Sequence, residues 1–269
     1  MNNEKIYHFI SGLPRSGSTL LSAILKQNPE FYADISSPVS GMLSSMIGHL
    51  STTENSPNIN TDQRASVLKG IVDGYYDKVD RPVVFDSSRG WTQHTNLLKA
   101  LYPNTKIICC VRDIAWILDS FEKHANANPL YLNKLIDEEA MHCVTTRADF
   151  LMDVQKGGTV VKPWFWLKEG LLANPDMILL VEYDQLTKYP EQTMKRVYDF
   201  IDQPYYDHDF NNVEYSNEAF DLGISAPGLH TVMKKVEYRE RETVLPEETV
   251  KKYSNMEFWR PKMKELKYS

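Results

Sequence analysis

Apolar residues follow two alternating rhythms along this chain. Short continuous runs of β-branched, aromatic and aliphatic residues occur at Ile6 to Ile10, Phe31 to Ile35, Pro82 to Phe85, Lys106 to Val111 and Met177 to Val181. Each predicts a short buried strand. Between them, apolar positions recur at helical spacing. Leu20, Leu21, Ile24 and Leu25 share one face, with Asn28-Pro29 as the stop. Met42, Leu43, Met46, Ile47 and Leu50 follow Ser36-Ser37-Pro38, which reads as a cap with proline near the first turn. Further helices are predicted over Thr61 to Val79, Gln93 to Leu101, about Tyr131 to Val154, Pro163 to Leu172 and onward from Pro190. Another carries Ile114, Ile117, Leu118 and Phe121 on its core face. Ser51 to Asn60 is polar and reads as a loop, and Asp202 to Ser269 as a meandering tail with a helix near Pro246 to Tyr253. Short buried strands alternating with helices predict an α/β fold, a parallel sheet covered on both faces. No internal repeat interrupts the pattern, and residues 1–269 read as a single domain.

In such a sheet, ligands bind beyond the C-terminal ends of the strands. Four polar clusters stand at such ends: the loop with Arg15, the segment Asp86 to Arg89, Arg112-Asp113, and Glu182-Tyr183. The first is the most specific. Gly12, Pro14 and Gly17 separate a strand from a helix that begins near Ser18, so backbone N–H groups and the helix dipole converge on one anion site. The two glycines sit as in the nucleotide-binding P-loop, but Ser18 occupies the lysine position and Arg15 lies inside the loop. A phosphate fits there, while hydrolysis of ATP or GTP would lack the lysine that contacts the β- and γ-phosphates. Asp113 is placed to cap the following helix, and His8 reads as a packing residue inside a strand.

Composition narrows the partners. The formal net charge is −6, so no general basic field exists for nucleic acid or an anionic membrane. The three cysteines form no disulfide framework, and Cys109 and Cys110 fall in an apolar strand, which fits a reducing compartment. Met1-Asn2-Asn3-Glu4-Lys5 leads straight into the first strand without a signal-peptide pattern, and no apolar run is long enough to span a bilayer. A soluble, cytoplasmic protein is expected. The seven histidines and three cysteines show no metal-ligand spacing.

Taken together, the motifs resemble those of the sulfotransferases that use 3′-phosphoadenosine-5′-phosphosulfate (PAPS). Pro14-Arg15-Ser16-Gly17-Ser18-Thr19-Leu20-Leu21 is similar to their 5′-phosphosulfate loop. Val111-Arg112-Asp113 followed by Ser120 resembles their 3′-phosphate element. Val181-Glu182-Tyr183-Asp184-Gln185-Leu186 with Pro190 resembles a family signature, and Gly228-Leu229-His230-Thr231-Val232 before Lys234-Lys235 resembles the C-terminal cofactor loop. The similarity runs from about Ile6 to Trp259 and is closest in pattern to bacterial-type and tyrosylprotein-type enzymes.

The resemblance implies a P-loop-type parallel sheet flanked by helices, and transfer of a sulfuryl group from PAPS to a hydroxyl or amine of a small-molecule or peptide acceptor. The product would be adenosine 3′,5′-bisphosphate (PAP), with no metal. Arg112 can take the 3′-phosphate bidentately and Ser120 can add a hydroxyl. Ser16, Gly17, Ser18 and Thr19 can hold the 5′-phosphate, and the resemblance puts Tyr183 on the adenine side and Lys234 and Lys235 in contact with the cofactor. Arg15 is best placed to stabilise charge on the leaving phosphate. Ser87 stands where the family often has lysine, with Arg89 as the nearest replacement cation. Ser36 stands where tyrosylprotein-type enzymes have their catalytic glutamate. Asp34, Asp86, His94 and His124 are then the candidate general bases, with Asp34 preferred. The alternatives are a P-loop nucleoside or small-molecule kinase, and a nucleotide-binding protein that has lost catalysis.

Overall fold

A computed structural model describes residues 5–131 and 134–260. Met1 to Glu4 of the expected N-terminal lead, Asn133 and its neighbour Leu132 within the predicted helix from Tyr131, and the last nine residues of the tail lie outside the described residues. The strands are β1 (Ile6–Gly12), β2 (Phe31–Ala33), β3 (Val83–Ser87), β4 (Ile107–Val111) and β5 (Ile178–Glu182). They form one sheet in the order β2-β3-β1-β4-β5, and every neighbouring pair is parallel. The predicted strands are therefore all present. The helices are α1 (Ser18–Leu25), α2 (Val39–Thr52), α3 (Thr61–Tyr75), α4 (Thr95–Leu101), α5 (Ile114–Ala127), α6 (Val144–Leu151), α7 (Val161–Ala173), α8 (Tyr183–Lys188), α9 (Pro190–Phe200), α10 (Glu218–Gly223) and α11 (Glu247–Tyr253).

The two-residue period of the strands sorts the core into two layers. Phe9, Val84, Cys109, Val111 and Leu180 face one side, where α2, α3, α5 and α7 pack through Leu43, Val72, Ile117 and Leu167. Ile10, Phe85, Ile108, Cys110 and Val181 face the other, against Leu21, Ile24 and Leu25 of α1 and Met194 and Val197 of α9. The continuous apolar runs read in the sequence follow from this burial on both faces. His8 is buried, and its Nδ1 accepts from the Lys106 N–H at 3.2 Å, so it packs within the sheet as expected. Burial pushes it down to about 4.

Two expectations about helices need correction. The stretch from Tyr131 to Val154 holds a short 3-10 turn at Glu138–Ala140 and the eight-residue α6, not one long helix. The tail carries α10 in addition to α11. Trp164 packs edge-on against Phe165 and Phe258 and donates to the Met256 carbonyl at 2.9 Å, so this aromatic cluster ties the segment after α11 to α7.

Candidate active site

The sheet order reverses direction at β1. From there the chain builds β2 and β3 on one side, then β4 and β5 on the other. Loops after β1 and β4 diverge at this point and open a crevice. The loop after β1 is held close to β4: the Leu13 N–H donates to the Cys110 carbonyl at 2.9 Å. Gly12 has φ +110°, and a Cβ there would lie 2.1 Å from that same oxygen. Only glycine fits so near a neighbouring backbone. Gly17, with φ +94°, is the N-cap of α1 and packs against the Tyr183 ring. Between them Arg15 adopts φ +57°, a left-handed conformation unusual for a residue with a side chain.

A cleft of about 630 Å³ lies over these strand ends. Pro14, Arg15, Gly17, Ser18 and Thr19 form its floor at β1. Arg89, Arg112, Ser120, Tyr183 and Lys235 also line it. Arg15 reaches across: its Nε donates to Ser120 Oγ at 3.1 Å, and one Nη donates to the Leu229 carbonyl. Arg112 donates from Nη1 to the Arg15 carbonyl at 3.3 Å and stacks on the Tyr183 ring with its guanidinium carbon 4.3 Å from the centroid. Arg241 approaches the same ring and donates to the Tyr183 hydroxyl at 3.0 Å.

The electrostatics are those of an anion site. Burial and the Arg112 charge push the Arg15 guanidinium down to about 10. Burial and the Arg241 charge lower that of Arg112. Like charges thus crowd together, and none of the three arginines forms an ion pair with a carboxylate among the described residues. Arg112 Nε is buried with no hydrogen-bond partner among the described residues. Such cations need anions to offset their desolvation. A ligand with a 3′-phosphate fits this donor set.

Three of the residues singled out in the sequence do not reach the cleft. Ser16 is fully buried and its hydroxyl donates to the Pro14 carbonyl at 3.2 Å, beneath the loop. Lys234 points to Glu214, 3.5 Å away in solvent, because its carbonyl pairs with the Val213 N–H and fixes which way the strand-like segment faces. Asp34 is turned toward the C-terminal segment, where its Oδ1 accepts from the Tyr215 hydroxyl at 2.5 Å and from the Ile35 N–H at 2.8 Å. The other base candidates are occupied too. Asp86 is completely buried and accepts from Ser37 Oγ, Tyr76 Oη and Trp91 Nε1 at 2.5, 2.6 and 2.7 Å. Burial pushes its carboxyl up while those donors pull it back. His94 bonds to Ser44 at 2.9 Å, and His124 to the Pro227 carbonyl at 3.1 Å.

Other lining residues do not stand out in the sequence. Arg241 lies in the charged segment that follows Lys234-Lys235, and nothing in that local pattern singles it out. Its role depends on the path of the whole tail, which brings it 58 positions back to Tyr183. The apolar lining of the cleft includes Phe220, Ile224, Leu229, Val232 and Met233 from the C-terminal segment, together with Phe121 and Leu135. Among the described residues, no cluster of His, Cys, Asp and Glu could hold a metal ion, and no helix is long and apolar enough to cross a membrane.

A glycine-bounded loop after β1 and an arginine at the end of the neighbouring strand β4 thus stand together over one parallel sheet. Residues 8–207 match the model of the sulfotransferase family, and the chain belongs to that family. Protein-tyrosine sulfotransferase A of Caenorhabditis elegans is 22% identical over 216 residues, which are 77% of this chain and 52% of that protein. The chain thus spans about half the length of this curated relative. Among solved structures, the sulfotransferase domain from the curacin biosynthetic pathway is 18% identical with a TM-score of 0.50, covering 94% of this chain and 91% of that one. Retinol dehydratase, solved with androsterone and the inactive cofactor PAP, is 14% identical with a TM-score of 0.50, over 95% of this chain and 80% of that one. These likenesses show the sulfotransferase fold. The family does not favour the kinase alternative, in keeping with the missing loop lysine.

Proposed function

We propose that this chain transfers the sulfuryl group of PAPS to a hydroxyl or amine of a small-molecule or peptide acceptor. The observation that carries this reading is the convergence of Arg15, Arg112 and Arg241 on one cleft, without carboxylate partners among the described residues. A donor with two separated anionic groups matches two cationic sites one strand apart. Arg112, Ser120 and Arg241 would hold the 3′-phosphate. The N–H groups of Gly17, Ser18 and Thr19 would hold the 5′-phosphate at the start of α1. Tyr183, clamped between two guanidiniums, would border the adenine.

The donor supplies an activated sulfuryl group. The protein's part is to orient it and to stabilise negative charge that grows on the departing phosphate oxygen. Arg15 lies in the loop that would cradle that oxygen, and Arg89 lines the opposite edge of the cleft with its carbonyl pinned by the Ser11 hydroxyl at 3.2 Å. A preorganised cation acts most strongly where charge develops. A single domain is supported by one sheet carrying both core layers among the described residues. A cytoplasmic setting suits the free buried thiols Cys109 and Cys110.

Calorimetric titration with PAP, with ATP plus Mg²⁺ in parallel, tests the reading. Tight binding of PAP and none of ATP is expected. Preference for ATP plus Mg²⁺ would overturn it.

A further inference from the structure

The predicted bases are all engaged away from the cleft, yet transfer to a hydroxyl requires that its proton go somewhere. One titratable side chain on the cleft wall is oriented for this. His230 lines the cleft in the segment that covers the β1 loop. Its Nδ1 lies 2.5 Å from Asp221 Oδ1, and its backbone N–H donates to Asp221 Oδ2 at 3.0 Å. Asp221 sits in α10 and is 1% exposed. A carboxylate only accepts, so the proton between them belongs to Nδ1. That leaves the lone pair on Nε2, for which no partner is found among the described residues. Phe220 stands edge-on to the ring at 5.3 Å and restricts its tilt.

The position is also tied to the proposed catalytic cation. Arg15 donates to the carbonyl of Leu229, the residue before His230. His124 holds the same turn through Pro227 at 3.1 Å. The groups that bear on the imidazole are Asp221 from α10, Arg15 from the β1 loop and Arg89 from the segment after β3. Burial and the two arginines lower it, and Asp221 raises it, with a net shift downward. It is thus neutral, and basic at Nε2, near pH 7.

We propose that His230 is the general base toward the acceptor and that Asp221 is its positioning residue. The proposal rests on the sulfotransferase reading above. In the step, the acceptor O–H proton passes to His230 Nε2 as the acceptor oxygen bonds to sulfur. The bond from sulfur to the phosphate oxygen breaks, and its electron pair stays on that oxygen beside Arg15. The products are the sulfated acceptor and PAP. The imidazolium, stabilised by Asp221, then returns its proton to water. The buried carboxylate has the orienting role it plays in other acid–base dyads, holding one tautomer.

The test uses the full chain, with PAPS as donor and 2-naphthol and water as probe acceptors, following PAP release. His230→Ala should lower turnover about 100-fold or more, the range for a lost general base. Its PAP affinity should stay within about threefold of the parent's, and added imidazole should restore part of the rate. Asp221→Asn should lower the plateau rate too. It should also shift the acid limb of the pH profile further down, because the Asp221 charge that raises the imidazole is removed. A His230→Ala variant turning over within about threefold of the parent would overturn the proposal. Nitrogen-15 NMR of the side chain gives a second readout that needs no acceptor. At neutral pH, Nδ1 should be protonated and Nε2 not, with that preference lost in Asp221→Asn. A protonated Nε2 would overturn the assignment even where neither probe acceptor reacts. Failure of the parent to bind PAP, by contrast, would remove the cofactor reading itself and the proposal with it.

Discussion

The floor and the roof of the cleft are built by different means. The floor is backbone: β1, β4 and the loop between Gly12 and Gly17 are locked by main-chain pairing to the sheet. The roof, from about residue 213 to 245, has only the six-residue α10 as regular structure. Side chains reaching up from the sheet domain hold it. Arg15 grips Leu229, His124 grips Pro227, and buried Asp119 of α5 accepts from Thr243 Oγ1 at 3.0 Å and the Val244 N–H at 2.8 Å. The floor is therefore held rigidly by the sheet, while the roof brings polar groups such as His230 and Arg241 over it. Segments with few main-chain bonds open at lower free energy than paired strands.

Substitutions that strike one side only should sharpen this contrast. The largest effect is expected where the two meet. Arg15→Ala should lower sulfuryl transfer by about 100- to 1,000-fold, as for loss of a preorganised donor at a developing charge. PAP affinity should fall far less, which steady-state rates and calorimetry on the same samples would show. Equal loss of both would mean that Arg15 only ties the roof down. On the floor, Gly12→Ala should cost about 3 kcal/mol or more in urea unfolding, because its Cβ meets the Cys110 carbonyl and its φ is left-handed. A variant of parental stability would show that β1 and β4 can part there without cost. On the roof, Asp119→Asn should cost about 1–3 kcal/mol, since one amide cannot accept from all three of the Thr243 hydroxyl, the Val244 N–H and Lys123. Hydrogen exchange should quicken around residues 240–246 and stay slow in β1. Faster exchange in the strands as well would break the distinction between roof and floor.

The same contrast explains what could be read from the sequence. The floor is local. A buried strand, two glycines and a helix start lie within Ile6 to Leu25, so pattern and spacing identify them together. Arg112 was legible for the same reason, because it directly follows the apolar run of β4. Asp113 was legible as a cap, and its side chain accepts from the Trp116 N–H at 3.3 Å. The roof is made of contacts between distant residues. Asp34 looked free for catalysis until Tyr215, 181 positions on, was found bonded to it. Lys234-Lys235 formed the more visible basic pair, but the pairing of Val213 with Lys234 turns that lysine to solvent and leaves Arg241 beside Tyr183. His230 was noticed in its motif. Nothing in the local pattern joins it to Asp221 nine positions earlier, because the chain must first turn through α10 and the Gly228 bend, where φ is +76°.

The proposed sulfuryl transfer needs two separate anion sites over one sheet. The most direct test compares PAP with adenosine 5′-phosphosulfate, which lacks the 3′-phosphate, for binding to the parent and to Arg112→Ala. Arg112→Ala should weaken PAP by about 10- to 100-fold, the loss of charge-assisted hydrogen bonds to a phosphate, and leave the phosphosulfate within about threefold. Equal weakening of both ligands would contradict that separation, since Arg112 would then support the cleft as a whole and not a site for the 3′-phosphate.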